Sequence, residues 1–164
     1  MDTQVVKAAG SGRAILYEIN RIHPLASSII ELFVQEFART RSVLDRIRTT
    51  LDEANPTPIA AWIYGSVASG EDKPGSDFDI ALVFGDDEQV EDATESVRRG
   101  LVDLAKEQLL QFSVSGFSNA DVRRLGATDD PFWRALVQHS IVLRGPHPEK
   151  AYRAAARPGH KLEQ

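Results

Sequence analysis

Two aspartates, Asp77 and Asp79, stand one residue apart in the stretch Ser76-Asp77-Phe78-Asp79-Ile80. On a strand, residues two apart point to the same side. Their carboxylates are therefore neighbours, while Phe78, Ile80 and Leu82 turn to the core. Two adjacent carboxylates repel, and both ionise readily only around a cation. Oxygen ligands suit magnesium, which takes one or two carboxylates together with substrate phosphates. Twelve residues upstream of Asp77 lies Gly65-Ser66, where a short apolar run, IAAWIY, turns towards a helix start. Glycine lets a backbone approach a phosphate closely, helix-start amides bind anions, and Ser66 adds a hydroxyl donor. A phosphate cradle and a metal-holding pair on adjoining strands are what nucleotidyl transfer requires.

Residues that match at Gly65, Ser66, Ala68, Gly70, Ser76, Asp77, Asp79 and Ile80 resemble the signature of the DNA polymerase β superfamily of nucleotidyltransferases. That pattern is Gly-Ser-x-Ala-Arg-Gly, a short loop, then Ser-Asp-x-Asp and an apolar residue. The minimal nucleotidyltransferases within it are the nearest in form. The likeness covers roughly Ile59 to Gly145, including the final IVLRG. It implies catalytic and metal-holding roles for Asp77 and Asp79, and nucleotide binding by Gly65, Ser66 and Ser76. It also implies magnesium or manganese as cofactor and a nucleoside triphosphate, ATP first, as donor. Such proteins pass a nucleoside monophosphate to a hydroxyl on an antibiotic, a nucleic-acid end or a protein, some as antitoxins of toxin–antitoxin pairs.

Two departures stand out. Ser69 takes the place where the family often has arginine. The family's third carboxylate sits on the strand after the long helix. Here that strand reads Leu110-Gln111-Phe112-Ser113-Val114-Ser115, with Gln111 or Ser113 at the position. Neither serves as a general base at neutral pH. Asp103 and Asp121 lie in neighbouring helices. The alternative to an enzyme is therefore a catalytically impaired nucleotide-binding or regulatory module.

The elements that must position these residues follow from periodicity and punctuation. Strands are expected at 59–64, 77–84, 110–117 and 141–143. A helix should run from an Asp86/Gln89 capping box to about Leu109. Another is capped by Ser118 and Asp121 and ends near Gly126. A third opens at Asp130-Pro131 and covers 132–139, and an alanine-rich one covers 151–157. This is an α+β, nucleotidyltransferase-like mixed sheet flanked by helices. Before it, Val5 to Asn20 suggests a hairpin around Gly10-Ser11-Gly12. Pro24 to Ala54 suggests one long helix with Leu25, Ile29, Phe33, Phe37, Leu44, Ile47 and Leu51 on a stripe. This N-terminal part resembles the wing and last helix of a winged-helix transcription regulator. A packing or dimerisation element is the other reading. Asn55-Pro56-Thr57-Pro58 breaks the helix. The expected domains are 1–54 for hairpin and helix, 59–157 for the nucleotidyltransferase-like part, and 158–164 as a flexible tail.

Trp62 is expected in the core, and one of Phe132 and Trp133 under the sheet. The four histidines have no metal-ligand spacing. The 164 residues carry a net charge of −5 and no cysteine, which excludes disulfide scaffolds, Cys-zinc sites and thiol nucleophiles. No apolar run is long enough to span a membrane. A cytoplasmic protein is expected, with a possible homodimer through helix 24–54. A wing without a recognition helix cannot read bases, so this chain alone is not expected to bind DNA.

Overall fold

The computed structural model describes residues 4–9, 15–73, 75–85, 90–128 and 130–156. The chain forms two compact units that divide between Ser42 and Val43. The division falls inside the long helix, upstream of the Asn55–Pro58 break.

In the first unit, β1 (Val6–Ala9) pairs antiparallel with β2 (Leu16–Ile19), Val6 opposite Ile19 and Ala9 opposite Leu16. The hairpin is as expected; its Gly10–Gly12 turn lies outside the described residues. Asn20 closes the open end. Its backbone N–H donates to Val5 at 2.8 Å and its side-chain amide to the Gln4 carbonyl at 3.0 Å. Helix α1 (Ala26–Glu53) follows, two residues after Pro24.

The second unit begins within α1, where Val43, Ile47 and Leu51 are buried. Then come β3 (Ala60–Tyr64), α2 (Gly65–Ser69), β4 (Phe78–Phe84), α3 (Val90–Gly100) and α4 (Val102–Gln108). They are followed by β5 (Phe112–Ser118), α5 (Asn119–Ala127), α6 (Pro131–Gln138), β6 (Ile141–Arg144) and α7 (Pro148–Ala155). The four strands lie in the order β5-β4-β3-β6. β3 is antiparallel to both neighbours, and β4 is parallel to β5. A parallel pair needs a crossover, and α3 with α4 supplies it. This is the expected α+β mixed sheet.

Alternation gives the sheet two apolar faces. Ala61, Ile63, Ile80, Leu82 and Val114 pack with Ile47, Leu51, Val97 and Leu104. Ala60, Trp62, Ala81 and Val83 pack with Val122, Leu125, Trp133 and Leu136. Trp62 is in the core as expected. Its indole N–H donates to the Pro146 carbonyl at 2.8 Å and its ring meets Trp133 edge-on at 6.2 Å. The second face explains why β4 is apolar at every position from Ile80 to Phe84.

Two elements differ from expectation. The helix expected from 86 to 109 is two helices broken at Leu101. Gly100 lies so close to Thr50 that an added Cβ would stand 2.6 Å from its methyl, and glycine is a poor helix former. The Asp86/Gln89 capping box lies outside the described residues, as does the 158–164 tail. The last helix starts at Pro148, three residues before the alanine-rich run, because proline suits the first helical position. The cap of α5 is as expected. The Ser118 hydroxyl accepts from the Asp121 N–H at 3.1 Å, and the Asp121 carboxylate accepts from the Ser118 N–H at 3.1 Å.

This cap yields a prediction. Ser118→Ala should cost about 1 kcal/mol, the usual worth of a helix cap, read by urea unfolding. The two Ser118 donors, backbone first, hold the Asp121 carboxyl below its ordinary value of 3.8. A carboxyl depressed on folding stabilises above its unfolded value, and that stabilisation is lost as pH falls through the folded one. The stability gap between wild type and Asp121→Ala should therefore shrink in acid below pH 3.8.

Candidate active site

The site forms at one end of the second unit's two central strands, β3 and β4. β3 ends at Tyr64, which lies opposite Asp79 in the antiparallel register. The chain then turns sharply into α2 at Gly65, whose φ is +73°. A Cβ at this position would collide with Asp79 Oδ2. Glycine is thus required twice, for its left-handed conformation and for the space the carboxylate occupies. No side chain caps α2 at its start. Its end is fastened at Ser66, whose carbonyl accepts from the Gly70 N–H, the Glu71 N–H at 2.9 Å and the Ser69 hydroxyl at 3.2 Å.

The motif loop returns the chain to β4. Ser76 accepts from the Lys73 N–H at 2.9 Å through its hydroxyl, and its own N–H donates to the Lys73 carbonyl at 2.8 Å. Ser76 therefore fastens the loop just before Asp77. Glu71, Asp72 and Lys73 are exposed, as expected. Phe78 N–H donates to the Gln111 carbonyl at 2.8 Å and opens the ladder to β5.

On β5, Ser113 stands directly opposite Asp79. Its hydroxyl donates to the Asp79 carboxylate. Gln111 is exposed and precedes the strand. Asp103 is exposed in the first turn of α4, and Asp121 is engaged by Ser118. Among the described residues, no group of three or more His, Cys, Asp or Glu side chains is placed to hold a metal ion. The acid pair therefore stands with a serine, not a third acid, as its neighbour on β5.

Burial, and then the nearby Asp77 charge, push the Asp79 carboxyl above its ordinary value; the Ser113 bond partly offsets them. Such a carboxylate gains from an added positive charge. The donor set suits a cation that takes one or two carboxylates and completes its shell with phosphate and water.

Tyr64 and Ser115 were not singled out by the sequence. The Tyr64 hydroxyl is hydrogen-bonded to Ser115, and burial raises its pKa. Its ring meets Phe132 edge-on at 5.2 Å, and Phe132 stacks with Phe117 at 5.6 Å. Alternation from Trp62 places Tyr64 on the Asp79 face, which was the available signal.

A mixed sheet with a glycine-serine turn against an acid pair defines a nucleotidyltransferase-type domain. The polymerase beta nucleotidyltransferase family matches residues 46–144, and the chain belongs to it. The match begins inside α1 and does not reach the hairpin. No curated protein matches the chain. Among solved structures, it is similar to a toxin–antitoxin determined with AMP-PNP, at 18% identity and a TM-score of 0.48. It is also similar to a mutant of the MntA–HpeT toxin–antitoxin, at 16% identity and 0.47. In both, 68% of this chain and 82% of the other are covered.

Two variants test the geometry. Gly65→Ala should cost about 1–2 kcal/mol from the positive φ and displace the Asp79 carboxylate, read by unfolding and by loss of metal binding. Asp79→Asn should raise the melting temperature of the metal-free protein at pH 7, measured in chelator. The sign follows from the raised carboxyl: its favourable protonated form is present in acid and lost as pH rises through the folded value. The advantage of the asparagine should therefore vanish near pH 4.

Proposed function

We propose that this family member binds a magnesium–nucleoside triphosphate, ATP first, where Gly65 meets Asp79 and transfers the nucleoside monophosphate to a hydroxyl acceptor. The observation that carries this reading is the close approach of Gly65 to the Asp79 carboxylate. It puts a backbone able to meet phosphate beside the acid pair. Asp77 and Asp79 would hold magnesium, or manganese. When bound, the metal supplies charge neutralisation at the phosphates. The Gly65 and Ser66 backbone and the Ser66 hydroxyl would hold the triphosphate. Ser76 would act by fastening the loop that presents Asp77.

In the transfer, the acceptor oxygen forms a bond to the α-phosphorus. The bond from that phosphorus to the bridging oxygen breaks, and pyrophosphate leaves. The acceptor proton must go to a base. Ser113 cannot take it at neutral pH, and Asp79 is occupied by the Ser113 hydroxyl and the cation. The proton therefore passes to solvent or to a group of the acceptor. A cytoplasmic setting, rich in triphosphate and magnesium, suits the reading.

Ser113 opposite Asp79 favours a second reading, a module that binds the nucleotide as a regulator with little turnover. Titration calorimetry with ATP and magnesium, for wild type and Asp79→Asn, is the first test. Binding that needs magnesium and is lost in the variant is expected; no binding of any nucleoside triphosphate would end both readings. Pyrophosphate release with hydroxyl acceptors then separates them. Release above the acceptor-free rate selects the transferase, and binding without it selects the regulator.

A further inference from the structure

The first unit has almost no interior of its own. Among its described residues only Asn20 and Ala26 are buried. Phe33 and Phe37 on α1 are 71% and 74% exposed, and Tyr17 on β2 is 69% exposed. Together with Ile19, Ile30 and Val34 they line a groove of about 550 Å³ between hairpin and helix. At roughly 150–250 Å² per aromatic side chain, Tyr17, Phe33 and Phe37 alone leave about 400 Å² outside. Val6, Ile30 and Val34, which line the same groove, are 49%, 39% and 61% exposed and extend that apolar surface. An exposed apolar patch rimmed by polar residues marks an interaction site.

We infer that this surface is covered by a second copy of the chain, with the two α1 helices side by side and parallel. Self-association fits because the unit carries both an apolar groove and the projecting phenylalanines able to fill one, as a two-fold interface requires. The orientation comes from charge. Ile30, Phe33, Phe37 and Thr40 recur at spacings of three and four, the seam of a heptad. Glu36 and Arg41 flank that seam on opposite sides, five residues apart. In a parallel pair this spacing sets Glu36 of one helix beside Arg41 of the other. In an antiparallel pair the Glu36 sides of the two helices would face each other and so would the Arg41 sides, so Glu36 would not meet Arg41. Within its own helix Glu36 meets Arg39 at 3.1 Å, an exposed contact. This inference does not depend on nucleotide binding.

Sedimentation velocity of the full chain over a concentration series is the test. Wild type should be a dimer at micromolar concentration. Phe33→Glu with Phe37→Glu should weaken it by about 100-fold or more, as loss of central aromatic anchors does. Both tryptophans lie in the second unit's core, so unchanged tryptophan fluorescence would show that the variant has not unfolded there. Glu36→Arg and Arg41→Glu should each weaken the dimer, and the double exchange should restore it. A wild type monomeric throughout, or a dimer indifferent to the phenylalanine changes, overturns the inference. Failure of the double exchange to restore overturns the parallel arrangement.

Discussion

The candidate site depends on one close approach. The Asp79 carboxylate occupies the space where any residue other than glycine at 65 would place its Cβ. That approach follows from the strand register, since Tyr64 and Asp79 are opposed and the chain must turn away immediately after Tyr64. The turn needs a positive φ, and the same atom deletion that permits the turn makes room for the acid. The 12-residue separation between Gly65 and Asp77 is then the length of a short helix and a loop fastened by Ser76 on Lys73. Sheet pairing, turn and loop thus converge on the distance between a backbone and a carboxylate.

Electrostatics at this site are set by what is missing as much as by what is present. Burial and Asp77 both disfavour charge on Asp79, and the neutral hydroxyl of Ser113 offsets only part of that. A third carboxylate in its place would deepen the repulsion without a metal and strengthen the hold on one. A hydroxyl relaxes the empty site and leaves the proton-accepting role unfilled. Tyr64 and Ser115 repeat the arrangement one step along the same face, again neutral and again paired. Neutral donors line the acid pair, so the demand for positive charge falls on the ligand.

Most of the fold was legible because its signals are local. Proline at 131 and 148, the Ser118–Asp121 cap, the apolar run along 60–64 and the alternation along 112–118 each act within a few residues. Asp77, Asp79 and Gly65 were legible for a related reason: strand periodicity makes the acids neighbours, and glycine marks the turn. What escaped was set by contacts distant in sequence. The close approach of Gly100 to Thr50 is one such contact, which no window around 100 contains. The choice of Ser113 over Gln111 depends on register between β4 and β5, and periodicity gives a face without giving a partner.

Helix α1 shows the same limit on a larger scale. One stripe at spacings of three, four and seven residues runs through Phe33, Phe37, Leu44, Ile47 and Leu51. From Val43 onward it is buried in the second unit's core, and from Phe33 to Phe37 it is largely exposed. The periodicity is continuous because a helix repeats its geometry whatever lies beside it. Burial is a property of the neighbour, and here the neighbour changes between Ser42 and Val43. A helix that meets its own domain with one half and leaves the other apolar half outside has two separate demands for partners. The first is met by residues 60–143 of the same chain. The second calls for an apolar surface of matching spacing, and a second α1 is such a surface.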